Sequence, residues 1–346
     1  MGELEFLRMF GRETKKMAGH ALVTGSHGFV GRNFIHRLLS DGWKVTAVDS
    51  LLPGSGAREV AQWWFDPSDF GPYFVEHLMD ARDWFAVNTS EKVDLAIHLA
   101  AVVGGRSTIE GNQMAVAEDL AIDASFWKWA VAAKPGHIVS FSSSAAYPVN
   151  LQTRSGKDAL LSERDLDFTK TIGLPDLTYG WAKMTNEFLG LTAASQYGLN
   201  VASYRPFSGY GSDQDASYPF RAICERAAAK TVDERGNFFV WGSGEQKRDF
   251  VHISDVVSCV LTTYPQITDG SSINISTGIL TSFKELAALA CNAAGWAPSI
   301  VGLDSKPEGV FARGGATELQ RAKGFIPKVS LREGIELCLE SIRRGA

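Results

Sequence analysis

Tyr179 and Lys183 stand four residues apart in the run YGWAK, so on a helix they share one face. A phenol that ionises near pH 10 is a poor base at neutral pH. An ammonium held beside it favours the phenolate and lowers that value, which makes the pair suited to taking a proton from a hydroxyl. Upstream, His137–Phe141 (HIVSF) runs directly into Ser142, Ser143 and Ser144. A serine hydroxyl at the C-terminal end of such a strand can hydrogen-bond an oxygen that is being oxidised. Each feature also has a plain reading, a surface tyrosine beside a solvated lysine and a serine-rich turn.

Such a pair needs a scaffold and a hydride acceptor, and the first third of the chain suggests both. His20–Thr24 (HALVT) is a short apolar run, and Thr24-Gly25-Ser26-His27-Gly28-Phe29-Val30-Gly31 follows it. An amphipathic helical pattern covers Phe29–Leu39, and a second apolar run, Trp43–Asp49, closes the unit. Glycines between a strand and a helix permit a tight turn and close backbone approach to a pyrophosphate. The helix N-terminus adds free amides and a positive dipole end. Asp49, at the end of the second strand, can accept hydrogen bonds from an adenosine ribose and would repel a 2′-phosphate. The glycine spacing, the helix and the acidic residue in register imply NAD rather than NADP. The positive charge of an oxidised nicotinamide would then join Lys183 in favouring a Tyr179 phenolate.

Further buried-strand patterns are Asp94–Ala101, His137–Phe141 and Asn200–Tyr204, separated by helical stretches near 112–133 and 179–197. The alternation implies an α/β fold, a doubly wound parallel sheet of Rossmann-like type. Beyond about residue 206 the rhythm loosens into a smaller C-terminal lobe. The aromatic stretch 57–72 carries no readable role. His98, inside a buried-strand pattern, is expected to be structural, while His27 can touch a phosphate or be a plain turn residue. Trp127 and Trp129 are two apart, so one is expected in the core and the other at an interface.

Composition narrows the field. With 346 residues, 45% apolar and 21% charged, the chain can bury a large core. A net charge of -5 gives no general attraction to nucleic acid or to an anionic membrane. The four cysteines form no CxxC pair, which argues against a zinc site or disulfide framework and fits a cytoplasmic, reducing setting. No run is long enough to span a membrane, no signal-peptide pattern opens the chain, and Met17 is a second possible start.

The motifs TGSHGFVG, HLAA, SFSSSAAYP, YGWAK, YRPFSGYG and WGSGEQKRDFVHISD occur in this order between about residues 20 and 343. Together they resemble the extended short-chain dehydrogenase/reductases, and in particular the NAD-dependent nucleotide-sugar epimerase/dehydratase family. The resemblance implies that Tyr179 is the base, that Lys183 lowers its pKa and holds the nicotinamide ribose, and that Ser143 is the catalytic hydroxyl. It implies cofactor contacts from Gly25, Gly28, Phe29, Val30, Gly31, Asp49, Asp80, Leu99, Ala100 and Ala101. It implies substrate contacts from Ser142, Ser143, Ser144, Phe207, Ser208, Arg248 and Lys306. Arginine suits the diphosphate position, where Arg248 stands, by its fixed charge and forked donors. The implied division is a cofactor domain over 18–206, with parts of 248–278 returning to it, a nucleotide-sugar lobe from 207–247 and 279–346, and an extension over 1–17. Relatives pair two helices with a partner's in a homodimer, and 112–133 and 179–197 are the counterparts here. A non-catalytic dinucleotide sensor is the rival class, but such chains usually lose the Tyr or the Lys. No metal is required.

The reaction is narrowed by what is missing. The 4,6-dehydratases carry Asp-Glu or Ser-Glu after the catalytic hydroxyl, where this chain has Ser144 and Ala145. The AAVVGG run, SSxxxYP, WGSGEQ and PEGV also resemble GDP-mannose 3,5-epimerase and GDP-fucose synthase. Those enzymes use a cysteine at the position of Ala145, and a methyl group has no transferable proton. What remains is redox at C4, either 4-epimerisation or a 4-dehydrogenase or 4-reductase that releases its keto sugar. Departures from the pattern are Ser208 and Asp119, where asparagine is usual, and the segment LQTRSGKDALLSERD, expected as a loop over the substrate.

Overall fold

The computed structural model describes residues 17–53, 55–103, 110–156, 159–306 and 308–344. Nearly all of the N-terminal extension, both glycines of AAVVGG and Pro307 of PEGV lie outside the described residues. In chain order the strands are β1 His20–Thr24, β2 Lys44–Asp49, β3 Phe74–Leu78, β4 Leu95–His98, β5 His137–Phe141, β6 Val201–Pro206 and β7 Ser208–Tyr210. They continue with β8 Asn237–Trp241, β9 Lys247–His252, β10 Asp269–Ile275, β11 Leu280–Ser282, β12 Ser299–Leu303 and β13 Ala312–Arg313. The α-helices are α1 Phe29–Ser40, α2 Ala81–Val87, α3 Gln113–Val116, α4 Glu118–Ala133, α5 Leu177–Tyr197, α6 Pro219–Ala228, α7 Ile253–Thr263, α8 Phe283–Ala293, α9 Glu318–Ala322 and α10 Leu331–Arg344.

Seven strands form one parallel sheet in the order β10-β6-β5-β4-β1-β2-β3. Its central strands are buried on both faces, which is why they read as unbroken apolar runs rather than alternating ones. Ala21 and Val23 of β1 pack with Phe34, Ile35 and Leu38 of α1 and Val256 and Val260 of α7. Leu22 faces the other way, toward Trp84 of α2, Phe126 and Trp129 of α4 and Ala193 of α5. The strand order reverses between β1 and β4, which opens a crevice at the C-terminal ends of the strands where a dinucleotide belongs. β7, β9, β11 and β13 form a small second sheet, and β8 pairs with β12. Around them Phe220, Ile223, Phe238, Phe250, Leu286 and Ile335 make a separate apolar core.

Several details differ from the sequence reading. The strand expected over Asp94–Ala101 covers only Leu95–His98, because the Leu99 amide turns to the Thr24 carbonyl and hydroxyl and the Ala100 amide to that hydroxyl. The helix expected over 112–133 is two, α3 and α4, divided at Ala117. Trp127 and Trp129 are both buried: the Trp127 indole donates to Asn186 at 2.7 Å and that of Trp129 to the Asn88 carbonyl at 3.0 Å. A two-residue offset on this helix lets one ring reach α5 and the other α2, and neither is left for an interface. β3 was not foreseen, since as an edge strand it is partly exposed along its whole length. The 57–72 stretch forms 3-10 turns whose Trp63, Phe65 and Phe70 cover α1 and lead into that edge.

Candidate active site

The turn after β1 is shaped by glycines that nothing larger can replace. Gly25 has φ +65, and a Cβ there would lie 2.7 Å from the Ala100 nitrogen. A Cβ on Gly31 would lie 2.3 Å from the Gly25 carbonyl oxygen, so α1 rests directly on the turn. Within α1 the Arg32 amide bonds the Gly28 carbonyl, so the Phe29, Val30 and Gly31 amides precede the first intrahelical bond at the crevice. This is a cradle for a pyrophosphate. Asp49, at the tip of β2, accepts from the His27 amide at 2.9 Å and the Leu51 amide at 2.8 Å. Asp80 caps α2 and pairs with Arg82 at 2.7 Å, and that guanidinium holds its carboxyl below the usual range. The His27 ring is buried and tied to Ser26 and Glu76, not presented to a ligand. His98 is buried too, bonded to Thr24 at 2.8 Å and Asp123 at 3.1 Å and stacked on Phe126. The donors and the shape fit NAD, with Gly25, Gly28, Phe29, Val30, Gly31, Asp49, Asp80, Leu99, Ala100 and Ala101 as the residues that would hold it.

Tyr179 and Lys183 project from α5 toward the end of β5, with the Lys183 ammonium 5.6 Å from the Tyr179 ring centre. The Ser143 hydroxyl lies beside the phenol, where it favours the ionised form, and it accepts from the Ala145 amide at 3.1 Å. The phenol is nevertheless pushed up rather than down. Burial dominates, the Lys183 charge opposes it, and the Asp119 carboxylate adds to it. Lys183 itself is held charged: burial pulls it down, but Asp119 and Asp123 outweigh that.

A cavity of about 680 Å³ opens from this point. Ser143, Ala145 and Tyr179 line its catalytic end, and Phe207, Ser208, Arg248, Phe283 and Trp241 also line it. Arg248 on β9 and Arg313 on β13 are register partners in adjacent strands and both face this cavity. Ser142 does not. Its hydroxyl turns inward to Glu187 and the Lys183 carbonyl, because successive residues at a strand end point to opposite sides. Ser144 is buried away from the cavity, and Lys306 sits outside it, over the half-exposed Trp241 ring. Arg313, Asp176 and Gln152 were missed by sequence reasoning. Arg313 donates to Asp176 at 2.7 Å and to Gln152 at 2.6 Å beside the catalytic end. No spacing in the chain signals this group, since its members come from three distant segments. Gln152 belongs to the segment expected as a substrate loop, within which Leu161 packs beside Tyr147 and Phe207.

A glycine cradle at the sheet's reversal point and a Ser-Tyr-Lys cluster facing it define an extended short-chain dehydrogenase/reductase. The chain matches the NAD dependent epimerase/dehydratase family over residues 21–276 and belongs to it; it is an enzyme with NAD as its cofactor. A GDP-L-fucose synthase of Sinorhizobium fredii is 27% identical over 72% of this chain and 79% of its own. A UDP-glucose 4-epimerase of Mycolicibacterium smegmatis is 24% identical over 93% of this chain and 98% of its own. Among solved structures, MoeE5 in complex with UDP-glucuronic acid and NAD is 26% identical, with a TM-score of 0.73 over 95% of this chain and 100% of the other. No described helix is long and apolar enough to cross a membrane.

Proposed function

We propose that this enzyme oxidises the C4 hydroxyl of a nucleotide-diphosphate hexose to a transient 4-keto sugar and reduces it again on its other face, a 4-epimerisation. The observation that carries the reading is that the Ser143 and Tyr179 hydroxyls line the same cavity as Arg248. NAD, held by the turn from Gly25 to Gly31, would supply the hydride acceptor and donor for C4. Tyr179 takes the hydroxyl proton, Ser143 holds the same oxygen, and Lys183 supplies the positive charge that favours the phenolate. Ala145 lines the cavity beside Ser143 and brings neither a carboxylate nor a thiol to C3, C5 or C6. Arg248 suits the diphosphate and Trp241 suits the base. The likeness to a GDP-L-fucose synthase supports a second reading, a 4-dehydrogenase or 4-keto reductase that releases its product.

The reading includes a homodimer through α4 and α5, where Leu120, Trp181 and Phe188 are exposed. It places the enzyme in the cytoplasm, which suits four buried free thiols. The test is incubation with UDP-, GDP-, dTDP-, CDP- and ADP-hexoses in D₂O, followed by NMR and mass spectrometry. An isobaric sugar without carbon-bound deuterium supports 4-epimerisation. Product only when NAD or NADH is supplied in quantity supports the second reading. Deuterium at C3 or C5 refutes the argument from Ala145.

A further inference from the structure

Beneath Lys183 the site holds more negative charge than a single ammonium needs. Asp119 of α4 is fully buried. Its Oδ1 accepts from the Val102 amide, and its Oδ2 has no hydrogen-bond partner among the described residues and lies 3.8 Å from the Lys183 ammonium. That separation is an ion pair too long for a hydrogen bond. Asp123, one turn further along α4, is also buried, and its Oδ1 meets His98. A buried carboxylate with an unpaired oxygen is costly, and a neutral amide of the same shape would avoid the cost of the charge. Its presence beside the reactive phenol points to a use for the charge itself.

We propose that Asp119 is a positioning residue of the redox site, an ionisable counter-charge that draws the Lys183 ammonium into the protein and holds back phenolate formation at Tyr179. The inference rests on the reading of Tyr179 as the base. An anion close to the ammonium cancels part of the field that the ammonium exerts on the phenol. Burial pushes the Asp119 carboxyl up to about 6, with the Lys183 charge and the Val102 amide opposing. The counter-charge is therefore in place above about pH 6 and withdrawn below it. The groups that face Asp119 among the described residues are Lys183 and Tyr179 from α5, Asp123 on its own helix, and His98 from β4 behind Asp123. His98 is disfavoured as a cation by burial, so it does not replace Lys183 as the positive partner. Glu118, next along α4, is turned outward to Arg82.

The test follows the phenolate absorbance of the purified protein with NAD across a pH titration, with the same titration of Tyr179→Phe subtracted so that only Tyr179 remains. Asp119→Asn should lower the Tyr179 midpoint by about one pH unit, a tenfold rise in phenolate at fixed pH. Asp119→Ser, smaller and also uncharged, should lower it as well and serves if the asparagine variant folds poorly. The pH profile of turnover, with whichever sugar is accepted, should move down by the same interval. A midpoint that stays within about 0.2 unit or rises in a folded variant overturns the proposal, since a purely structural carboxylate would leave the phenol where it is. The absorbance titration needs no sugar, so absence of turnover with every nucleotide sugar would count against the proposed reaction and leave this result standing.

Discussion

Glu187 lies one turn beyond Lys183 on α5, and its buried carboxylate meets the buried guanidinium of Arg205 at 2.6 and 2.9 Å. The same carboxylate accepts from the hydroxyls of Ser142 and Ser272. Arg205 in turn donates to Tyr147 at 3.0 Å, whose hydroxyl donates to Asn274 at 2.7 Å. The network therefore anchors the residue immediately before Ser143 to the helix that carries Tyr179. Replacing Glu187 by Gln leaves a guanidinium buried without its counter-charge, which costs about 3–5 kcal/mol. With an unfolding entropy of about 2.1 cal/mol/K per residue, 346 residues give about 0.7 kcal/mol/K, so the apparent Tm should fall by about 4–7 °C. Arg205→Met should cost a similar amount, but the double variant removes both charges and should cost less than the sum by about 2 kcal/mol. Urea and thermal unfolding followed by tryptophan fluorescence measure all three. Additive losses, or a Glu187→Gln loss under about 1 kcal/mol, would refute the coupling drawn here.

Tyr179→Phe should lower turnover by at least about 10²-fold and leave NAD affinity nearly unchanged; near-normal turnover would remove Tyr179 from the mechanism. Gly31→Ala drives a Cβ into the Gly25 carbonyl, a backbone group that cannot swing aside, so it should cost about 1–3 kcal/mol of stability and weaken NAD binding in calorimetry. Unchanged NAD affinity in that variant would mean that α1 need not rest on the turn. Asp49→Asn removes the charge that opposes a 2′-phosphate, so the NAD over NADP preference should narrow by about tenfold, or 1.4 kcal/mol. An unchanged ratio of the two dissociation constants would place cofactor selection elsewhere.

The parts of this protein legible in its sequence are those set by neighbours along the chain. Tyr179 and Lys183 share a face because the helix period puts residues four apart together, and that needs no distant partner. The turn from Gly25 to Gly31 is legible because lack of a Cβ is a local property with a local consequence. β1, β5 and α1 were legible because burial on both sheet faces, or on one helix face, leaves a pattern in the residues themselves. The edge strand β3 leaves no such pattern, because partial exposure relaxes the demand for apolar side chains.

Tertiary structure decided that Ser142 and Ser144 do not join Ser143 at the cavity. The backbone alternates direction at the end of β5, so Ser143 faces Tyr179 while the Ser142 hydroxyl is taken up by Glu187 and the Lys183 carbonyl. It also decided the sign of the Tyr179 shift, since a helix face shows the lysine that lowers the phenol but not the depth of burial or the Asp119 charge that raises it. The Arg313, Asp176 and Gln152 group exists only because β13, the residue ahead of α5 and the segment after β5 converge on one end of the cavity. Charge and burial act through space, and their sum at a site depends on groups that chain spacing does not place together.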